Sequence, residues 1–291
     1  MPKSTERGSA AAPADAVPAA GVAGRVRDAL TAIRERATLE PRFGLTLGSG
    51  LGGVIDRLEQ VTVFEVGTLP HWPQPTVHGH AGRLALGRWR GVPLVALSGR
   101  SHRYEGWPLE RVTFAVRVMA ALGARALVFT NAVGALNPEY RPADLMLATG
   151  HINFIGKRGL LTDAELARRG ASRPVASCYS PRLAAAIARA AAEAGVRLHR
   201  GVLMGGLGPS YETAAEVRMG TAIGADVACM STVHEVTLAA EMGCEAASIS
   251  CITNRATGLS EKPLTHAEVT EVADVGARSI ERILDRLFET S

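Results

Sequence analysis

Phe43-Gly44-Leu45-Thr46-Leu47 runs directly into Gly48-Ser49-Gly50-Leu51-Gly52-Gly53, an apolar run that stops in a glycine loop. A short apolar run closed by turn residues reads as a strand buried on both faces. The loop satisfies G-x-G-x-x-G, and Glu65 lies near where a dinucleotide fold carries its ribose-binding acid. The spacing then fails: only residues 54–60 separate Gly53 from the next strand candidate at Val61. That is too short for the crossover helix of a parallel βαβ unit. What survives is a more general property. Small residues let backbone N–H groups crowd an anion, and Ser49 adds a hydroxyl donor.

Working outward, strands are expected at Val61–Val66, Leu84–Trp89, Val92–Leu97, Ala126–Thr130, Leu145–Thr149, Gly201–Met204 and Ala246–Ile252. Helices are expected at Val26–Arg36, Pro181–Ala194, Glu212–Ile223, His234–Met242 and His266–Phe288. One more carries Val112, Ala115, Val116, Met119 and Leu122 at helical spacing, with Arg111 and Arg117 off that stripe. Strands mixed with helices and no linker after residue 25 predict one α/β domain with a twisted, mixed central sheet flanked by helices. The Ala/Pro-rich stretch 1–24, interrupted by Pro13, Asp15 and Pro18, reads as a flexible extension rather than a signal peptide, ahead of a domain at 25–291.

Composition narrows the function. The 291 residues carry 32 Lys+Arg against 28 Asp+Glu, a net charge of +4 spread along the chain, which argues against a nucleic-acid surface. Six Phe, four Tyr and three Trp are too few for base-stacking platforms. No apolar stretch is long enough to span a membrane. The four cysteines, Cys178, Cys229, Cys244 and Cys251, form neither a disulfide framework nor a zinc pattern, so a reducing cytoplasm is expected.

The candidate chemistry sits at strand ends, where open α/β sheets bind ligands. Ser98-Gly99-Arg100-Ser101-His102-Arg103-Tyr104-Glu105-Gly106 follows one strand, with Arg100 offering a charged fork for an oxyanion and His102 a further donor. For Arg103 and Glu105 the plain alternative is a solvated surface pair, and for Arg103 it is the favoured one. Thr130-Asn131-Ala132, Gly208-Pro209-Ser210-Tyr211-Glu212-Thr213, Met230-Ser231-Thr232 and Ile252-Thr253-Asn254 end other apolar stretches in hydroxyls and amides. A helix-capping role for Ser210, Glu212 or Thr213 competes with a ligand role. His78-Gly79-His80 is the only close histidine pair, with no third metal ligand, and there is no nucleophile elbow.

These blocks, together with Gly79-His80-Ala81-Gly82-Arg83, occur in the order and approximate spacing of the trimeric purine nucleoside phosphorylases, which the chain resembles from about residue 25 to 288. The resemblance implies reversible phosphorolysis of purine nucleosides to free base and pentose 1-phosphate, without metal or organic cofactor. It implies that Ser49, Arg100, His102, the Ala132 backbone and Ser231 hold phosphate, with His80 nearby. Tyr104 and Met230 would border the sugar, and His266 would reach its 5′-hydroxyl. Tyr211, Glu212 and Asn254 would line the base pocket, with Asn254, Glu212, His102 and His80 as the catalytic set. Asparagine at 254 points to 6-oxopurines such as inosine and guanosine. A homotrimer in the cytoplasm, with no nucleic-acid or membrane partner, is the expected setting. Departures fall in the sugar and base walls: His78, Val133, Ala135, Leu203 and His234 replace family residues. Segment 155–177, with Arg173, lacks the aromatic that family members lend to the adjacent site. A member acting on a modified nucleoside, or a non-catalytic nucleoside- or phosphate-binding relative, is the alternative those departures leave open.

Overall fold

The computed structural model describes residues 21–74, 76, 82–156, 159–162, 165–166, 177–259 and 266–289, with the side chains of 266–271 outside that description. Helix α1 (Val22–Arg34) starts inside the stretch read as an extension. The strands are β1 (Phe43–Leu47), β2 (Glu59–Glu65), β3 (Arg83–Trp89), β4 (Val92–Ser98), β5 (Ala126–Ala135), β6 (Leu145–Asn153), β7 (Leu198–Gly205), β8 (Val227–Cys229) and β9 (Glu245–Arg255). The remaining helices are α2 (Leu109–Val112), α3 (Phe114–Leu122), α4 (Pro181–Glu193), α5 (Ala214–Ala222), α6 (Val233–Glu241) and α7 (His266–Glu289).

The nine strands form one mixed sheet in the order β2-β3-β4-β1-β5-β8-β7-β6-β9, and β5 pairs in addition with β9. That extra ladder closes β5, β8, β7, β6 and β9 into a ring, from which β1, β4, β3 and β2 extend as a wing. Alternation along β5 divides the core. Leu127, Phe129 and Val133 face a cluster under α1, α3 and α6, while Ala126 and Val128 face one under α4 and α7. The glycine loop enters a 3-10 turn, Gly52–Arg57, before the antiparallel β2–β3 pair, so no crossover helix follows β1.

Several expectations shift. Strand β8 is only three residues long, too brief to show alternation in the sequence. The helix expected to span residues 112–122 is broken at Thr113 into α2 and α3. Arg117, off the apolar stripe, is nevertheless buried: it ion-pairs with Glu165 at 3.0 Å and donates to the Leu160 carbonyl at 2.8 Å. Strands β5 and β9 run on together to Ala135 and Arg255, so Asn131, Ala132 and Asn254 sit on a shared parallel ladder rather than on loops beyond it.

Candidate active site

The site forms where β1, β4 and β5 end side by side. Strand β1 pairs in parallel with β4 (Leu47 opposite Ser98) and with β5 (Thr46 opposite Phe129), so the glycine loop, the Arg100 loop and Asn131-Ala132 emerge together. Gly48 lies against β5. A Cβ there would come within 2.9 Å of both Asn131 Cα and the Thr130 carbonyl oxygen, closer than atoms pack. The Gly48 N–H donates to Thr130 Oγ1 at 3.2 Å, pinning the loop that carries Ser49.

Arg100 is fixed by its surroundings. Its Nη1 donates to Ser231 Oγ and Thr232 Oγ1, each at 2.9 Å, and its Nη2 donates to the Thr130 carbonyl at 2.6 Å. Glu235 Oε2 stands 3.5 Å from Nη1, with both side chains nearly sealed from solvent, 3% and 4% exposed. Ser231 and Thr232 sit on a tight turn: Val233 N–H donates to the Ser231 carbonyl at 2.7 Å around Thr232 at φ 66°, ψ −46°. This is the strained γ-turn geometry that non-glycine residues rarely adopt.

His102 and Glu105 are coupled. The Glu105 carboxylate accepts from His102 Nδ1 at 3.1 Å and from the Thr76 N–H and hydroxyl at 2.7 Å each. Burial raises the Glu105 pKa, but the hydrogen bonds from His102 and Thr76 outweigh it and bring it down to about 2. Glu105 is therefore not half of a solvated pair; its side chain is almost fully covered. Arg103 instead donates to the Trp107 carbonyl at 3.0 Å. The His102 ring stacks on Tyr104, 4.8 Å between centroids.

Two further groups converge. A Cβ on Gly208 would meet Met230 Sδ at 2.6 Å and the Tyr104 ring at 2.9 Å, so the Gly208 turn packs directly against Met230 and Tyr104. Glu212 stands beside Gly206, and burial, then the charge of Glu216, raises its carboxyl pKa. Helix capping falls to its neighbours: Thr213 and Glu216 form a reciprocal capping box, so Glu212 takes no part in closing α5. Tyr211 is half exposed. On β9, the Thr253 hydroxyl donates to Asn254 Oδ1 at 2.8 Å, and Asn254 Nδ2 donates to the Arg255 carbonyl at 2.9 Å. Nδ2 also faces Gly134, where a Cβ would lie 3.2 Å away.

Ser49, Arg100, His102, Ala132, Ser231, Tyr104, Met230, Tyr211, Glu212 and Asn254 thus lie on neighbouring strand ends and the loops that follow them. His80, with Gly79 and Ala81 beside it, and His78 and Arg173 lie outside the described residues, as does the side chain of His266. Leu203 is fully buried in the core. Thr232 stands in the Met230-Ser231-Thr232 block, but the sequence assigns no role to it or to Glu235. Their signal was the Thr-x-x-Glu spacing 232–235, which reads as an ordinary helix cap. Among the described residues, no three His, Cys, Asp or Glu side chains are grouped to hold a metal ion.

This arrangement sets a buried, fixed guanidinium and a small-residue loop at strand ends whose neighbours also carry an amide, a carboxylate, a methionine and a tyrosine. A family model described as the phosphorylase superfamily matches residues 42–289. A purine nucleoside phosphorylase 1 of Bacillus subtilis is 43% identical over 86% of this chain and 92% of its own. A purine nucleoside phosphorylase of Mus musculus is 37% identical over 86% and 89%. A crystal structure of a Schistosoma purine nucleoside phosphorylase in complex with hypoxanthine superposes with a TM-score of 0.83 at 29% identity, covering 91% of this chain and 96% of that one. A Schistosoma mansoni structure in complex with adenosine gives 0.82. The chain belongs to the phosphorylase superfamily and, within it, to the purine nucleoside phosphorylases.

Proposed function

We propose that this enzyme catalyses reversible phosphorolysis of 6-oxopurine nucleosides, inosine and guanosine, with phosphate held by Ser49, Arg100, His102, the Ala132 backbone and Ser231. The observation that carries the reading is Arg100: a buried guanidinium locked by Ser231, Thr232 and the Thr130 carbonyl beside the glycine loop. A permanently charged fork in a low-dielectric setting suits an oxyanion.

Phosphate supplies both nucleophile and counter-charge. One of its oxygens bonds to the anomeric carbon as the glycosidic bond breaks, and that bond's electron pair leaves with the purine. Inosine and HPO₄²⁻ give ribose 1-phosphate dianion and neutral hypoxanthine, so the phosphate proton ends on the base. His102, with its Nδ1 proton held by Glu105, presents its other nitrogen as an acceptor for that proton, turning bare phosphate oxygens toward the sugar. Asn254, its amide oriented by Thr253, donates to purine N7 where negative charge gathers. Ionised Glu212 accepts from the N1–H of a 6-oxopurine. Tyr104 and Met230 border the sugar, His266 reaches the sugar's 5′-hydroxyl, Tyr211 borders the base, and His80 lies near the phosphate.

The reaction needs no cofactor besides phosphate as co-substrate. The working form is a cytoplasmic homotrimer. Exposed Phe154, whose N–H bonds the Gly205 carbonyl at 2.9 Å, and exposed Leu207 and Tyr211 support closure of the site by a neighbouring subunit. The test is hypoxanthine release from inosine with and without phosphate. Release that needs phosphate supports the reading; equal release without it makes the enzyme a hydrolase.

A further inference from the structure

Two Thr-x-x-Glu runs begin helices in this chain, and they behave differently. Thr213 and Glu216 make the reciprocal bonds of a capping box. Thr232 and Glu235 occupy the same positions at the start of α6, yet Thr232 makes no side-chain cap bond. Its hydroxyl accepts from Arg100, and Glu235 turns its carboxylate to the same guanidinium. A threonine side chain that caps a helix start stabilises it, so this helix start forgoes that stabilisation. Thr232 is also held at positive φ, where a β-branched residue is strained. Local stability is given up twice, and both concessions serve Arg100.

We propose that Glu235 is a positioning residue of the phosphate site. With Thr232 it forms a clip that holds the Arg100 fork in the orientation that receives the oxyanion. The inference rests on the phosphate reading above, since it concerns how that site is held. Arg100 rises from the end of β4, whereas Ser231, Thr232 and Glu235 lie on the turn and first turn of α6. The clip therefore joins two separate segments across the sheet. A buried guanidinium deprived of its carboxylate keeps only the neutral oxygens of Ser231, Thr232 and Thr130 to hold it, and loses the charge that fixes Nη1. Phosphate would then have to order the fork as it binds, at the expense of its affinity.

The experiment compares wild type, Glu235→Gln, Glu235→Asp and Arg100→Ala. The readouts are KM for phosphate, KM for inosine, kcat, and the rise in melting temperature on adding inorganic phosphate. Glu235→Gln keeps the shape and removes the charge. It is expected to raise KM for phosphate by about 10- to 100-fold, the usual range for partners that orient a ligand-binding group. KM for inosine should stay within about 3-fold, and the phosphate-induced melting shift should shrink, while Glu235→Asp falls between. A purely structural role would lower the melting temperature and kcat but leave KM for phosphate and the phosphate-induced shift at wild-type values. That result overturns the proposal. Should Glu235→Gln not fold, Glu235→Asp decides by the same two readouts. If phosphate stabilises wild type and the Glu235 variants equally, only the positioning role fails. If it stabilises neither wild type nor Arg100→Ala, and KM for phosphate is the same in both, the phosphate site itself is misassigned.

Discussion

His234 offers a prediction whose size follows from its surroundings. It is buried in the first turn of α6, and neither ring nitrogen has a hydrogen-bond partner among the described residues. Burial, followed by the charges of His151 and Arg103, lowers its pKa from 6.5 to about 4. The unfolded chain therefore binds a proton between pH 6.5 and 4 that the folded chain refuses. The stability from the neutral ring is complete above pH 6.5 and is lost as pH falls toward 4, with little further change below. Two and a half decades of proton affinity at about 1.4 kcal/mol each amount to between about 3 and 4 kcal/mol, of which about 3 is lost by pH 4. Urea unfolding of wild type and His234→Leu at intervals from pH 7.5 to 4 measures this directly. Wild type should lose about 3 kcal/mol more than the variant across that range, and the variant should be no less stable than wild type near pH 4. Parallel curves for the two proteins would refute the reasoning and mean that His234 protonates freely in the folded state.

Other consequences follow from the site. Asn254→Asp should cut inosine turnover by about 100-fold or more, because an ionised carboxylate accepts where N7 needs a donor; steady-state kinetics near neutral pH check this. Because the Glu212 pKa is raised, KM for inosine should be flat at neutral pH and climb as pH falls through a value above the ordinary carboxylate range, and Glu212→Gln should abolish that climb. Glu105, at about 2, should contribute stability that is intact above pH 4.5 and lost as pH falls toward 2; Glu105→Gln should flatten acid unfolding in that window. Thr213→Ala should cost about 1 kcal/mol in urea unfolding through loss of the capping box, with KM for phosphate unchanged.

Much of this architecture is legible in residue order because strands with two buried faces announce themselves. Phe43–Leu47, apolar but for Thr46, and Val92–Leu97, without a polar side chain, both stand where expected. Ladder pairing is not written locally, so the extension of β5 and β9 past Thr130 and Ile252 was invisible until the two strands lay side by side. Strand β8 is too short for any periodicity. Arg117 shows the limit of charge patterning: a guanidinium off the apolar stripe reads as solvated, yet Glu165, 48 residues away, makes its burial possible. Glu105 has one partner close by in sequence, His102, but the other, Thr76, is 29 residues away and no local pattern joins them. Thr-x-x-Glu at 232–235 carries the same letters as at 213–216. Only the positive φ at Thr232 and the guanidinium of Arg100 separate a clip from a cap.

The central claim is that the cradle around Arg100 delivers phosphate to a purine nucleoside. Its most direct measurement is the product formed from inosine in radiolabelled inorganic phosphate, for wild type and Arg100→Ala. The account predicts labelled ribose 1-phosphate in equal amount to hypoxanthine, with KM for phosphate greatly raised by the substitution. Hypoxanthine accompanied by unlabelled free ribose, at a rate indifferent to phosphate, would contradict it.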